Sequence, residues 1–234
     1  MIGKTKTEEA PLIEARNVTR RLSGEIPVTL VHDIDLAIHR GEFTTITGPS
    51  GSGKSSLLYL LGLLDQPTEG TIFMDHIETS DLHEGDLARL RLTKLGFIFQ
   101  FHFLLPEFTA RENIMIPMRK LDRLHPAEMQ ARADEILAQL DISDHANKRP
   151  DQMSGGQRQR VAIARALAND PEVVLADEST GNLDSHNSEI VFDIFTKLAR
   201  EDGRAVVAVT HERELADRAD RKIHLVDGAI VSDN

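Results

Sequence analysis

Short apolar or β-branched runs alternate along this chain with longer stretches of helical period, the rhythm of an α/β domain with a largely parallel sheet. Phe43–Thr47 (FTTIT), 173–176 (VVLA) and 205–210 (AVVAVT) are the runs that matter most and read as strands of that sheet. Each is followed at once by polar groups: GPSGSGKS at 48–55, the pair Asp177 and Glu178, and His211. Ligands of open α/β sheets gather at the carboxyl ends of the strands, so these groups are predicted to meet in one crevice. Nearer the N-terminus, 12–18 and 28–38 read as strands of a small antiparallel sheet, with turn residues Ser23 and Gly24 between them. At the other end, IHLVDGAIV (223–231) sets Asp227-Gly228 between apolar arms, a hairpin pattern. Between 101 and 151 the pattern turns helical, punctuated by Pro106, Pro117, Pro126 and Pro150, and predicts an inserted helical lobe.

The length of 234 residues suits one domain with a substantial core. Its expected parts are a flexible tail at 1–10, a β subdomain with the first part of the core at 11–99, a helical subdomain at 100–157 and the second part of the core at 158–234. A net charge of −11 argues against a nucleic-acid partner, because phosphate backbones must be met by clustered Lys and Arg. With no cysteine, disulfides and thiolate metal sites are excluded, and a reducing compartment is the default expectation. MIGKTKTEEAP lacks the apolar core of a signal peptide, and the longest apolar run, 57–64, is far short of a membrane span. Membrane association is therefore expected only through partners.

GPSGSGKS fits G-x-x-x-x-G-K-[ST]. Glycines let backbone N–H groups close around a triphosphate, Lys54 reaches the outer phosphates, and the Ser55 hydroxyl binds Mg²⁺. A Gly/Ser-rich turn is the bland alternative, but FTTIT before the loop and SSLLYLLGLL after it supply the strand and the helix N-terminus that phosphate binding needs. In VVLADE, Asp177 is positioned to hold Mg²⁺ through water and Glu178 to polarise an attacking water. Capping of the following turn would be the better explanation of that pair if no phosphate loop accompanied it. A second loop, MSGGQ, holds the capping box Ser154-x-x-Gln157. A capped surface helix explains those two residues but not Gly155 and Gly156, which weaken a first turn while letting an anion approach its free N–H groups.

Taken in order, these motifs resemble the ATP-binding-cassette (ABC) ATPases over nearly the whole chain: the phosphate loop, a glutamine at Gln100, the signature MSGGQ, the acidic strand VVLADE, the turn STGNLD with Asp184, and the histidine of VTH. The resemblance implies an α/β P-loop NTPase with a mostly parallel core sheet, a small N-terminal antiparallel β subdomain and an inserted helical subdomain. It also implies a homodimer in which the signature of one copy closes on the ATP held by the other. By position, it implies nucleotide contacts from Gly48, Pro49, Ser50, Gly51, Ser52, Gly53, Lys54, Ser55 and Ser56, and from Ser154, Gly155, Gly156, Gln157 and Asp184 across the dimer. Mg²⁺ would fall to Ser55, Gln100 and Asp177, and catalysis to Glu178, His211, Lys54 and Gln100. Leu22 stands where the family usually offers adenine an aromatic ring, Ser179 where a proline is common, and Met153 where leucine is usual.

FHFLLPEFTARENIMIPM directly follows Gln100 and is unusually apolar for the outer edge of a lobe. It reads either as lobe core or as a groove for a short helix of a membrane subunit, docking between Gln100 and Met118. With LGLLDQPTEG and LADESTGNLD, this stretch resembles the subgroup of LolD-type, MacB-type and FtsE-type ATPases, and the LolD type most. That resemblance implies a peripheral ATPase on the cytoplasmic face of a bacterial inner membrane, driving release or extrusion, with lipoproteins as the cargo of the LolD type. MacB-like efflux, FtsE-like mechanotransmission and, further off, a non-transport ABC ATPase are the alternatives. The non-transport class predicts two cassettes in one chain, a long heptad insertion or a basic face, and none of these is in the sequence.

Overall fold

A computed structural model describes residues 10–25 and 27–234. Of the expected N-terminal tail, residues 1–9 lie outside the described residues. Among the described residues, ten strands and seven α-helices form two sheets with helices on both faces of the larger one.

The small sheet is antiparallel: β1 (Ile13–Leu22), β2 (Val28–Ile38), β4 (Glu69–Met74) and β5 (Ile77–Glu78), in the order β2-β1-β4-β5. β1 runs four residues beyond the predicted 18 because irregularities after Ala15 let the strand bend and continue its pairing through Leu22. In the large sheet, β3 (Phe43–Thr47), β6 (Leu95–Ile98), β7 (Val173–Asp177), β8 (Ala205–Val209) and β9 (Arg221–Val226) run parallel, with β10 (Ala229–Asp233) antiparallel at the edge. The order is β10-β9-β3-β8-β7-β6, and Thr45, Ala208, Ala176 and Ile98 share one row across four strands. The chain therefore leaves β3, β8, β7 and β6 along a common edge.

Side chains of β7 and β8 alternate between two cores, as strands buried on both faces must. Val173, Leu175, Val207 and Val209 join the α1 helix (Lys54–Leu61) and the small sheet. Val174, Ala176, Val206 and Ala208 join the helical side. That side holds α3 (Ala110–Leu121), α4 (Pro126–Gln139), α5 (Gly155–Ala166) and α6 (Ser185–Arg200). α2 (Glu84–Lys94) and α7 (Arg213–Arg218) complete the set. No helix among the described residues is long and apolar enough to cross a membrane.

Local chemistry fixes the lobe. Thr109 and Glu112 form a capping box at the start of α3, and Pro126 begins α4, where its missing N–H costs nothing. Pro117 departs from its expected role as punctuation, because α3 runs straight through it. It removes one backbone donor, and burial of Ile114, Met115 and Met118 on either side holds the helix together. α5 is continuous past residue 157, so one helix joins the lobe to the second part of the core.

Candidate functional site

The phosphate loop owes its shape to backbone that only glycine tolerates well. Gly53, the N-cap of α1, has φ 95°, and a Cβ there would overlap the Leu30 carbonyl. At Gly51 (φ 79°) a Cβ would meet nothing within 4 Å, so the loop faces open space on that side. The hairpin turn supports the loop from below: the Gly228 N–H donates to the Ser52 carbonyl at 3.1 Å. Lys54 Nζ lies over the loop and donates to the carbonyls of Gly48 (3.1 Å) and Pro49 (2.8 Å). Burial lowers the Lys54 pKa, while Glu178 and Asp177 pull it upward. Such a desolvated ammonium gains by exchanging loop carbonyls for anionic phosphate oxygens.

Beside the loop, the end of β7 presents Asp177 with both oxygens engaged. The Ser55 hydroxyl donates to Oδ1 at 2.9 Å and the Tyr59 hydroxyl to Oδ2 at 2.8 Å. Sequence motifs alone do not single out Tyr59; its signal is the i, i+4 spacing from Ser55, which puts both hydroxyls on one face of α1. Burial, then the hydrogen bond and charge of Asp177, push the Tyr59 phenol up to about 12, so it remains a donor.

Glu178, the next residue, takes a left-handed backbone with φ 44° that is unfavourable for a non-glycine residue. Its N–H is held by the Val209 carbonyl at 3.1 Å, and its carboxylate meets His211 Nε2 at 2.7 Å. Ser179, in the usual proline position, is buried at the start of the turn that follows. Gln100 lies two residues beyond β6 in the same edge of the sheet. Loop, acid pair and histidine are thus brought to the ends of adjacent parallel strands, as the polar groups after the three runs predicted, and Gln100 follows the neighbouring β6. Leu22, at the end of β1, is 43% exposed, which leaves it able to offer an apolar face in place of an aromatic ring.

The signature forms a second, separate corner. Ser154 caps α5, accepting from the Gln157 N–H, while the Ser154 N–H donates to Gln157 Oε1 at 2.9 Å. The first-turn amides of Gly155 and Gly156 have no carbonyl one turn earlier in the helix to bond. A Cβ at Gly156 would overlap the Asn187 side chain, and Asn187 in turn donates through its backbone N–H and Nδ2 to Asp184, the N-cap of α6. Glycine at 156 is thus the condition for α5 to start against α6. α1, which follows the phosphate loop, packs in the core on one face of the sheet, and α5, which follows the signature, in the core on the other.

The apolar stretch after Gln100 divides. Ala110, Ile114, Met115 and Met118 are lobe core, whereas Phe101 and Phe103 are each 62% exposed. Phe103 borders a groove of about 690 Å³ lined also by Phe97, Phe99, Ile116, Pro117 and Lys120. Phe97 and Phe99 stack at 4.9 Å, and Phe103 stands edge-on to Phe99 at 5.5 Å. Arg165 of α5 holds this loop, donating to the carbonyls of His102 (2.8 Å) and Phe103 (2.6 Å). Burial lowers the His102 pKa, with Arg158 adding to the effect. Neither Arg165 nor His102 could be picked out from the sequence, because their partners are backbone atoms brought near by the fold.

The donor set also defines which cation would fit. Among the described residues no three His, Cys, Asp or Glu side chains cluster to hold a metal. One hydroxyl, one carboxylate and one amide are hard oxygen donors too few to cage an ion. They suit Mg²⁺, which keeps several waters and completes its shell with phosphate oxygens.

Comparison with known proteins gives the family. The ABC transporter family model matches residues 31–181. A lipoprotein-releasing system ATP-binding protein, LolD 1 of Chlorobium chlorochromatii, is 51% identical over 212 residues, covering 91% of this chain and 86% of that protein. The LolD protein of Aquifex aeolicus is 46% identical over 224 residues, covering 96% and 98%. Among solved structures, a dimeric post-hydrolysis state of the ATP-binding cassette MJ0796 bound to ADP and Pi superposes with a TM-score of 0.89, at 42% identity over 95% of this chain and 97% of that one. The chain belongs to the ABC transporter family, as one of its ATPase cassettes.

Proposed function

We propose that this chain is the ATP-hydrolysing motor of a bacterial inner-membrane ABC transporter that releases lipoproteins, and that it acts as a homodimer with two ATP at its interface. The observation that carries the catalytic reading is the Glu178–His211 pair at 2.7 Å, set at the same sheet edge as Lys54 and the Ser55–Asp177 pair. In this reading the backbone of 48–56 and Lys54 bind the phosphates. Glu178 accepts a hydrogen bond from the attacking water, while His211 orients the carboxylate and the outer phosphate. Ser55, Asp177 and Gln100 would hold Mg²⁺, which when bound neutralises charge on the phosphate oxygens.

The placement of the two corners in one chain supports a dimer. The helices that follow the phosphate loop and the signature pack on opposite faces of one sheet, which supports the reading that the free amides of Gly155 and Gly156 meet a nucleotide held by a second copy. Asp184, fixed as the α6 cap beside Gly156, then lies at the boundary between copies. The MJ0796 cassette, a dimer in its ADP- and Pi-bound state, supports this arrangement.

Membrane partners are proposed to dock a short helix in the groove beside Phe103, between Gln100 and Met118. A groove of about 690 Å³ with aromatic walls, rimmed by Arg91, Lys120 and Arg165, has the form a helix-in-groove contact requires. The chain would then be peripheral, on the cytoplasmic face. Lipoprotein release as the task rests on the names of the relatives at 51% and 46% identity. To test it, tagged Glu178→Gln protein is recovered from host membranes with ATP and Mg²⁺, and its companions are identified by mass spectrometry. Two dissimilar membrane proteins with large periplasmic regions support lipoprotein release. One homodimeric membrane protein contradicts it in favour of MacB-like efflux, and soluble companions alone contradict the transporter assignment.

A further inference from the structure

The geometry points to Tyr59 as a positioning residue for the divalent-cation site: its hydroxyl fixes Asp177 through Oδ2 while Ser55 holds Oδ1. The inference rests on the assignment of Ser55 and Asp177 to Mg²⁺.

A carboxylate at the end of a strand can rotate about its terminal torsion, which is broad and roughly two-fold. Here two donors from one helix face, at 2.9 and 2.8 Å, bracket it and set its plane relative to the phosphate loop. Their roles differ. The Ser55 oxygen can present a lone pair to a cation while its hydrogen stays on Oδ1, so that hydroxyl serves both cation and carboxylate. Tyr59 Oη serves the carboxylate alone, and its ring is braced against Phe97 at a centroid distance of 6.1 Å. With Oδ2 occupied, Asp177 would be held in one orientation beside Ser55 to support a bound divalent cation. Outer-shell partners of this kind typically matter tenfold or more for metal affinity.

Tyr59 is the only tyrosine of the chain, which has no tryptophan. Emission excited at ultraviolet wavelengths that phenylalanine does not absorb therefore reports on this phenol alone. In the full-length protein loaded with ADP, Tyr59→Phe keeps the ring and removes one donor. It is expected to weaken Mn²⁺ binding, read by electron paramagnetic resonance, by about tenfold, while ADP affinity without metal stays within about twofold. Wild-type emission is expected to be dim, because a phenol bonded to a carboxylate is quenched, and to brighten in Asp177→Asn. Unchanged Mn²⁺ affinity in Tyr59→Phe, alongside a clear loss in Asp177→Asn, would overturn the role of Tyr59 and leave the cation site standing. Unchanged Mn²⁺ affinity in Asp177→Asn would instead remove the cation assignment, and the inference with it. The emission measurement needs no variant at Tyr59: emission equal in wild type and Asp177→Asn contradicts the bracket even if Tyr59→Phe does not fold.

Discussion

Glu178 and His211 meet at 2.7 Å across the ends of two adjacent strands, and the contact depends on the left-handed backbone of Glu178. An extended residue there would continue the strand; the turn sends the carboxylate sideways toward β8 instead. Glu178→Gln is isosteric but a far weaker acceptor for a water proton, so turnover should fall by about 10²–10⁴-fold in a phosphate-release assay. His211→Ala should lower kcat through the same contact, with KM for ATP changed by less than about threefold.

Ser154→Arg places a charged side chain over the signature amides, at the start of the helix that packs on the opposite face of the sheet from α1. ATPase activity should be lost, while binding of a fluorescent ATP analogue to the monomer stays within about twofold of wild type. Loss of monomer binding would mean that the signature contributes to the nucleotide site of its own chain.

Gly156→Ala should destabilise the protein by roughly 1–3 kcal/mol, the cost of forcing a methyl group into a packed contact. The group it displaces is the Asn187 side chain, which also bonds the Asp184 cap. In the Gly156→Ala, Asn187→Ala double variant, the two costs should be less than additive in urea denaturation. Additive costs would place the strain elsewhere.

Arg165→Ala releases the carbonyls of His102 and Phe103 from the signature helix. Basal ATPase activity of the isolated protein should stay within about twofold, and stimulation by reconstituted membrane subunits should be lost. The same stimulation assay with Phe103→Asp checks the groove itself, where an exposed aromatic ring is replaced by a charge.

Much of the fold and site is legible in the sequence because the chemistry is local. GPSGSGKS carries its own strand, loop and helix start, and the capping box of Ser154 and Gln157 forms as its spacing requires. The Asp227-Gly228 turn likewise adopts positive φ at both residues, the twist a tight hairpin needs. What escapes depends on packing between distant segments. Pro117 reads as a helix breaker until its buried neighbours are counted. Phe101 and Phe103 share the apolar character of Ile114 and Met115, yet the first pair is exposed and the second is core. Tyr59 reads as one more apolar position in SSLLYLLGLL, because nothing in that run says that β7 will bring Asp177 to its hydroxyl.

Closure of two copies of this chain around ATP is best measured with the Glu178→Gln protein, in which binding and closure no longer end in hydrolysis. Its mass is measured by light scattering after size-exclusion chromatography with ATP and Mg²⁺, with ADP, and without nucleotide. A stable dimer is expected with ATP, a monomer in the other two conditions, and loss of the ATP dimer when Ser154→Arg is added. A protein that stays monomeric at saturating ATP, or a dimer indifferent to both nucleotide and Ser154→Arg, would contradict closure around ATP.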